Sequence, residues 1–170
     1  VEYVDSRIYS SWDIFNREQE KIFKKCWIPL CHESELVNHL DFRNSSIAGC
    51  KIAMIRDKEK IVAFQHSFQS MPVSGNLTED GGYDHWNCPE LHCEVKFGGM
   101  VWVTLNPEPT QDVEGWAAGA FDCIRPALDT EPLEVFHYHK AIIKSNYKLW
   151  HDTNSEFYHD YMHYFNRVTG

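Results

Sequence analysis

His159 and His163 stand four positions apart in the run Glu156-Phe157-Tyr158-His159-Asp160-Tyr161-Met162-His163. On a helix that spacing puts both imidazoles on one face, one turn apart, where they can chelate a single metal ion. Glu156 precedes His159 by three positions and shares the face, with Asp160 beside it. Two imidazoles and a carboxylate form the facial donor set that holds Fe(II) while leaving positions open for oxygen and substrate. The same run is an aromatic amphipathic helix, on which two histidines can be plain core or surface residues. Spacing alone leaves both readings open. The pair belongs to a set of ten histidines, five of which (His137, His139, His151, His159 and His163) fall after residue 136.

A second group of soft ligands is His85, Cys88, His92 and Cys93, with His66 a short distance upstream. Zinc accepts two thiolates and two imidazoles, yet this spacing matches no known zinc module, and Cys88 and Cys93 read equally well as buried thiols. No C-x-x-C pair occurs among the six cysteines (Cys26, Cys31, Cys50, Cys88, Cys93, Cys123). A chain this long can bury a core without disulfide staples, so reduced thiols are the expectation. There is no Gly-rich phosphate loop, nucleophile elbow or H-E-x-x-H motif, and no local signature of a Cys–His hydrolase. Lys21, Lys24 and Lys25, like Glu131 and Glu134, read as solvated faces.

The elements that must position these residues are of two kinds. Ser11-Trp12-Asp13-Ile14-Phe15 opens a helical lead-in that runs to Lys25, with acids early and lysines late, as the helix dipole favours. Cys26 to Cys31 is a short apolar run predicted to be a buried strand. From Asp41 to Leu105 the hydrophobic period becomes two. Strands are predicted at residues 46–50, 51–56 and 61–64, with Asp57-Lys58-Glu59-Lys60 as a hairpin turn and residues 71–82 as a loop. Gly98 to Leu105 is the clearest strand, ended by Asn106-Pro107. Residues 113–128 are weakly helical, 135–144 alternate like a strand, and 148–165 return to a helical, aromatic pattern. This divides the chain into a helical lead-in (1–40), a β domain (41–110) and the opening of a second α+β unit (111–170).

Composition limits the partners. The chain has 170 residues, 43% hydrophobic and 24% charged, with 16 basic and 25 acidic residues for a net charge of -9. That balance disfavours nucleic acid or an anionic membrane as the main partner. No apolar run approaches the roughly 20 residues of a membrane-spanning helix. The opening residues read as no secretory signal, so a cytoplasmic location is the expectation.

Asn146-Tyr147-Lys148-Leu149-Trp150, then Asp152, then Glu156-Phe157-Tyr158-His159 and His163 resembles a motif in the catalytic α subunits of Rieske non-haem iron oxygenases, of the aromatic-ring-hydroxylating type. Residues 18–36 are similar to that family's entry into its Rieske domain. Ile47-Ala48-Gly49, Ile55-Arg56-Asp57 and Ile61-Val62-Ala63-Phe64 resemble the strands before its first cluster loop, and Gly99 to Pro107 resembles the closing strand. The resemblance implies a largely β, α+β architecture: a Rieske-like antiparallel β unit followed by the start of a helix-grip catalytic domain. It further implies His159 and His163 as ligands of a mononuclear iron, and Glu156 as the acid that bridges this iron to a neighbouring subunit's cluster. The family has one residue more between its two histidines than the three found here. Its third ligand, an acid, lies far downstream and is not matched in the seven residues after His163.

The family's [2Fe–2S] centre needs Cys-x-His and Cys-x-x-His. In the matching register Phe68 and Ser70 stand at the first pair, and Cys88 and Leu91 at the second, with His92 one position late. The expectation is therefore that this chain binds no Rieske centre, although the family requires one. The family also has a few dozen residues between its second loop and its closing strand, where this chain has a handful. Two functions follow from the resemblance. One is an oxygenase that hydroxylates or demethylates a small organic substrate, with electrons from a ferredoxin and reductase or from a Rieske-bearing partner subunit in a trimer-based oligomer. The other is an inactive structural subunit that assembles with an intact oxygenase partner.

Overall fold

The computed structural model describes residues 4–78, 82–83, 86–128, 130–155 and 157–169, without the side chains of 157–160, 162 and 166. The chain divides into two compact units: Arg17–Tyr138, and the two chain ends up to residue 16 and from residue 139.

The larger unit is built on seven strands: β1 (Ile28–His32), β2 (Asp41–Ile47), β3 (Cys50–Asp57), β4 (Lys60–His66), β5 (Ser74–Asn76), β6 (Glu90–Lys96) and β7 (Met100–Thr104). They form one antiparallel sheet in the order β1-β7-β6-β4-β3-β2-β5. The sheet curls until β1 approaches β2. The fold is α+β and mostly β, as the alternating pattern predicts.

Alternation along each strand places apolar residues on both faces of the curled sheet. Ile52 and Met54 of β3, Ile61 and Ala63 of β4, and Val101 and Val103 of β7 point inward with Cys31, Leu36 and Ile47 to fill the interior. The residues between them face outward on two sides. Phe42, Ala53, Ile55, Val62 and Phe64 form an outer cluster on β2–β4, covered by Met71, Leu77, Tyr83, Trp86 and Cys88. Trp102 forms the other with Trp27, Phe97, Val113 and Ala117, the last two from α3 (Val113–Ala117). Each large aliphatic side chain so buried contributes roughly 1.5–3 kcal/mol, which a strand with one apolar face could collect only half as often.

The turns carry the remaining register. Ala48 and Gly49 both have positive φ in the two-residue β2–β3 hairpin, the backbone hand that matches strand twist. At the β6–β7 turn Phe97, Gly98 and Gly99 are all at positive φ. There His32, buried at the end of β1, accepts from Ser34 N at Nδ1 (3.1 Å), so its Nε2 carries the proton and donates to Gly98 O. Glu35 returns the bond to His32 N at 3.0 Å, closing a capping box on the 3₁₀ turn Glu33–Glu35.

Four sequence expectations change. β6 was not foreseen, and β5 lies inside the predicted 71–82 loop. Residues 135–144 form no strand: no described strand pairs with them, and Phe136, Tyr138 and Ile143 of the alternating set are exposed. The predicted helix at 113–128 is two short pieces, α3 and α4 (Arg125–Leu128).

The smaller unit contains α1 (Arg7–Ser10), the start of α2 (Trp12–Glu18), α5 (Tyr147–Ser155) and α6 (Phe157–Thr169). Beyond that unit, α2 widens into a π-helical turn at Gln19–Phe23. Asn146 caps α5, its Oδ1 accepting from Lys148 N at 3.0 Å while its amide donates to Tyr9 O at 3.0 Å.

Candidate functional site

Helix α6 carries both predicted iron-ligand positions. Its aromatic run keeps a 3.6-residue period, so Phe157–Thr169 is one uninterrupted helix. Positions 159 and 163 therefore fall on one face, about 6 Å apart along the axis at 1.5 Å per residue. His163 is exposed. The side chain of His159 and the whole of Glu156 lie outside the described residues. Among the described residues no three His, Cys, Asp or Glu side chains come together in a way that would hold a metal ion. As a donor set, two imidazoles one turn apart suit a first-row divalent metal as two of its ligands.

Of the predicted cluster positions, Phe68 and Ser70 follow the end of β4, Cys88 packs on the outer face of β2–β4, and Leu91, on β6, packs against the interior. His66, the last residue of β4, is buried there. Its Nδ1 accepts from Phe68 N at 3.2 Å, and its Nε2 pairs with Asn44 Oδ1 at 3.1 Å. Loss of hydration, reinforced by the nearby Lys51 ammonium, holds its pKa below the usual histidine value. Its ring stacks on Phe68 at 5.2 Å, and Trp86 meets the Phe68 ring edge-on at 5.0 Å. Phe64 touches both Tyr83 (5.1 Å) and Trp86 (6.4 Å). The segment is fixed to the sheet by Gln65 N donating to Pro89 O at 3.0 Å. The Cys88 thiol donates to Trp86 O at 3.3 Å. Neither the Phe68 ring nor a leucine at 91 offers iron an electron pair, so these residues do not fit a Rieske centre.

The zinc reading fails on the same geometry. Cys88 packs into the outer cluster, whereas Cys93, on β6, packs against the interior beside Val103, its partner on β7. His92 alternates to the opposite face of β6 and pairs its Nε2 with Pro107 O at 3.0 Å. Loss of hydration pushes the Cys93 thiol up to about 12, far from the thiolate that zinc requires. His85 lies outside the described residues. The strand β6 is what sequence reasoning missed here. Its signal was the alternation of Leu91, Cys93 and Val95 against Glu90, His92, Glu94 and Lys96, hidden because the polar half resembled ligands.

The curled sheet is the fold of the Rieske oxygenases. The naphthalene 1,2-dioxygenase of Rhodococcus bound to indole superposes with a TM-score of 0.79, covering 95% of this chain and 45% of that one at 19% identity. The quaternary ammonium Rieske monooxygenase CntA in complex with L-carnitine gives 0.77, covering 96% and 56% at 21% identity.

In sequence the homologues of this chain are Rieske oxygenase α subunits. The methanesulfonate monooxygenase hydroxylase subunit alpha of Methylosulfonomonas methylovora is 42% identical over 214 residues, 99% of this chain and 51% of that protein. The 2-aminobenzenesulfonate 2,3-dioxygenase subunit alpha of Alcaligenes is 27% identical over 203 residues, again 99% and 51%. No family model matches the chain. The chain spans about half the length of the curated relatives it matches. Both alignments are also longer than its 170 residues, so each relative carries residues inside the matched stretch that this chain lacks. The short run between Leu91 and Gly98 agrees with such a difference.

Proposed function

We propose that this chain serves in a Rieske-type oxygenase that hydroxylates or demethylates a small organic substrate at a mononuclear non-haem iron. The observation that carries the proposal is α6, a single helix bearing His159 and His163 one turn apart, in a chain whose homologues are oxygenase α subunits. His159 and His163 hold the iron through their ring nitrogens, and Glu156, three positions earlier in the sequence, is the acid through which electrons couple to a neighbour. Bound there, iron supplies the site at which dioxygen is reduced and a substrate C–H bond is oxidised. The third protein ligand comes from outside the described residues. Electrons come from a ferredoxin and reductase or from a Rieske-bearing partner, within a trimer-based cytoplasmic oligomer.

The relatives sharpen the substrate. Two that match 99% of the chain are named for sulfonates, methanesulfonate and 2-aminobenzenesulfonate. A small organosulfonate is therefore the substrate class we propose.

One observation favours a second function. Phe68, Ser70 and Leu91 at the cluster positions suit a structural subunit that assembles with an intact oxygenase and carries out no chemistry itself. Iron analysis separates the two. The purified chain should carry close to one iron per molecule, and His159→Ala should remove it. A metal-free wild-type chain leaves only the structural function standing, and iron retained by His159→Ala shows that the α6 assignment is wrong.

A further inference from the structure

The cluster end of the sheet is closed by rings. Phe64 and His66 project from β4, Phe68 follows in the next turn, and Tyr83 and Trp86 arrive from the segment before β6. Every pair that touches is at a packing distance, with centroids between 5.0 and 6.4 Å. Edge-to-face and offset ring pairs of this kind stabilise beyond the area they bury. The set joins the turn after β4 to the segment before β6.

The donors that a metal would need are already engaged. Both nitrogens of His66 have protein partners, Phe68 N and Asn44 Oδ1. The Cys88 thiol donates to Trp86 O. A Rieske centre requires two thiolates on one iron, and Cys88 is the one cysteine packed on this face. Strand alternation sends Cys50 to the face of Ile52 and Met54, and Cys93 to the interior cluster with Cys31. Cys123 lies beyond α3, in the segment leading to α4. Moving Cys31, Cys50 or Cys93 onto the His66 face would require turning a strand over, which a period-two register forbids without exposing its apolar side.

We infer that this Rieske-fold unit holds no iron–sulfur centre and that an aromatic plug of Phe64, Phe68, Tyr83 and Trp86 around His66 does the structural work of fixing the two loops. The unit is redox-silent. It packs, and electrons reaching any iron on α6 bypass it. This inference is independent of whether His159 and His163 bind iron.

Acid-labile sulfide distinguishes the two sites, because the α6 iron would carry none. The full chain, purified anaerobically and incubated with ferrous iron, sulfide and a thiol reductant, should show no protein-bound sulfide. It should also show no charge-transfer absorption and an unchanged thermal midpoint by circular dichroism. About two sulfides per chain with visible absorption overturns the inference. The plug is tested separately by Trp86→Ala, expected to lower the midpoint by roughly 5–10 °C, and Trp86→Phe, expected to recover most of that loss. If Trp86→Ala leaves the midpoint unchanged, the plug is not structural. Should Trp86→Ala fail to fold, Trp86→Phe and the sulfide assay on the wild-type chain still decide.

Discussion

The Tyr9 hydroxyl donates to the Asp152 carboxylate at 2.6 Å, joining α1 to α5 across 143 positions of sequence. With the Asn146 amide on Tyr9 O, the α1 residue Tyr9 is held by both its side chain and its backbone. The hydrogen bond from Tyr9 to a charged acceptor also raises the phenol's pKa, since ionisation would break it.

Tyr9→Phe removes the side-chain bond and keeps the ring. The bond lies in an exposed position, so the thermal midpoint should fall by only about 1–2 °C. The sharper readout is proteolysis. Trypsin should cut after Arg7 several-fold faster in Tyr9→Phe than in the wild-type chain, and Asp152→Asn should fall between them because it still accepts a hydrogen bond. Equal cleavage in all three chains would mean that the bond does not restrain α1.

His66 predicts how stability changes with pH. Its pKa in the folded chain lies below the ordinary 6.5 because its ring is desolvated and Lys51 is near. The unfolded chain therefore takes up the proton first as pH falls. The associated stability is complete above pH 6.5 and is lost progressively as pH drops towards the lower, folded value. Protonation would also break the bond that Nδ1 accepts from Phe68 N. Thermal midpoints measured from pH 7.5 to pH 5 should decline, and His66→Gln should show a shallower decline than the wild-type chain. Parallel curves would remove His66 from the acid sensitivity.

The strands that sequence made legible are those where period two meets long β-branched or apolar runs, such as Ile52 to Ile55 and Val101 to Val103. β6 was illegible for a chemical reason. Its outward half is His92 and Glu94, and its inward half contains Cys93, so it read as a set of ligands. Only pairing with Trp102 and Val103 of β7 shows it to be a strand. The error at 135–144 runs the other way. Alternation there is real, but a strand is defined by its partner, and Phe136 and Ile143 of that set lie exposed with no described strand beside them. For the candidate site, the aromatic period was enough to predict α6. The aromatic closure around His66 was not readable, because Phe68 and Trp86 are 18 positions apart and meet only through the sheet.

Gly99→Ala tests the β6–β7 turn. Gly99 has φ +92°, and an added Cβ would lie 2.6 Å from His32 Nε2. The substitution combines backbone strain of about 1–2 kcal/mol with displacement of the buried His32 from Gly98 O. Chemical denaturation should show a loss of roughly 2–3 kcal/mol, with an unchanged slope. His32→Ala should lose a similar amount, and the double variant should lose less than the sum, since both act on one contact. Additive losses would mean that glycine and histidine support the turn separately.

Thiol labelling tests the placement of the cysteines, and with it the zinc reading. Cys31 is buried in the interior and Cys93 packs against it, and loss of hydration raises both thiols, Cys93 to about 12. At pH 7.5 almost no Cys93 is thiolate, and the thiolate is the species that alkylates or binds metal. Cys123, by contrast, is exposed. Brief iodoacetamide treatment followed by peptide mass spectrometry should therefore modify Cys123 first and leave Cys31 and Cys93 unmodified until the chain is denatured. Added Zn²⁺ should not change that order, because Cys88 and Cys93 face opposite sides of the sheet and cannot share an ion. If Zn²⁺ protected Cys88 and Cys93 together, β6 would have to be turned over, and the pairing of Cys93 with Val103 would be wrong.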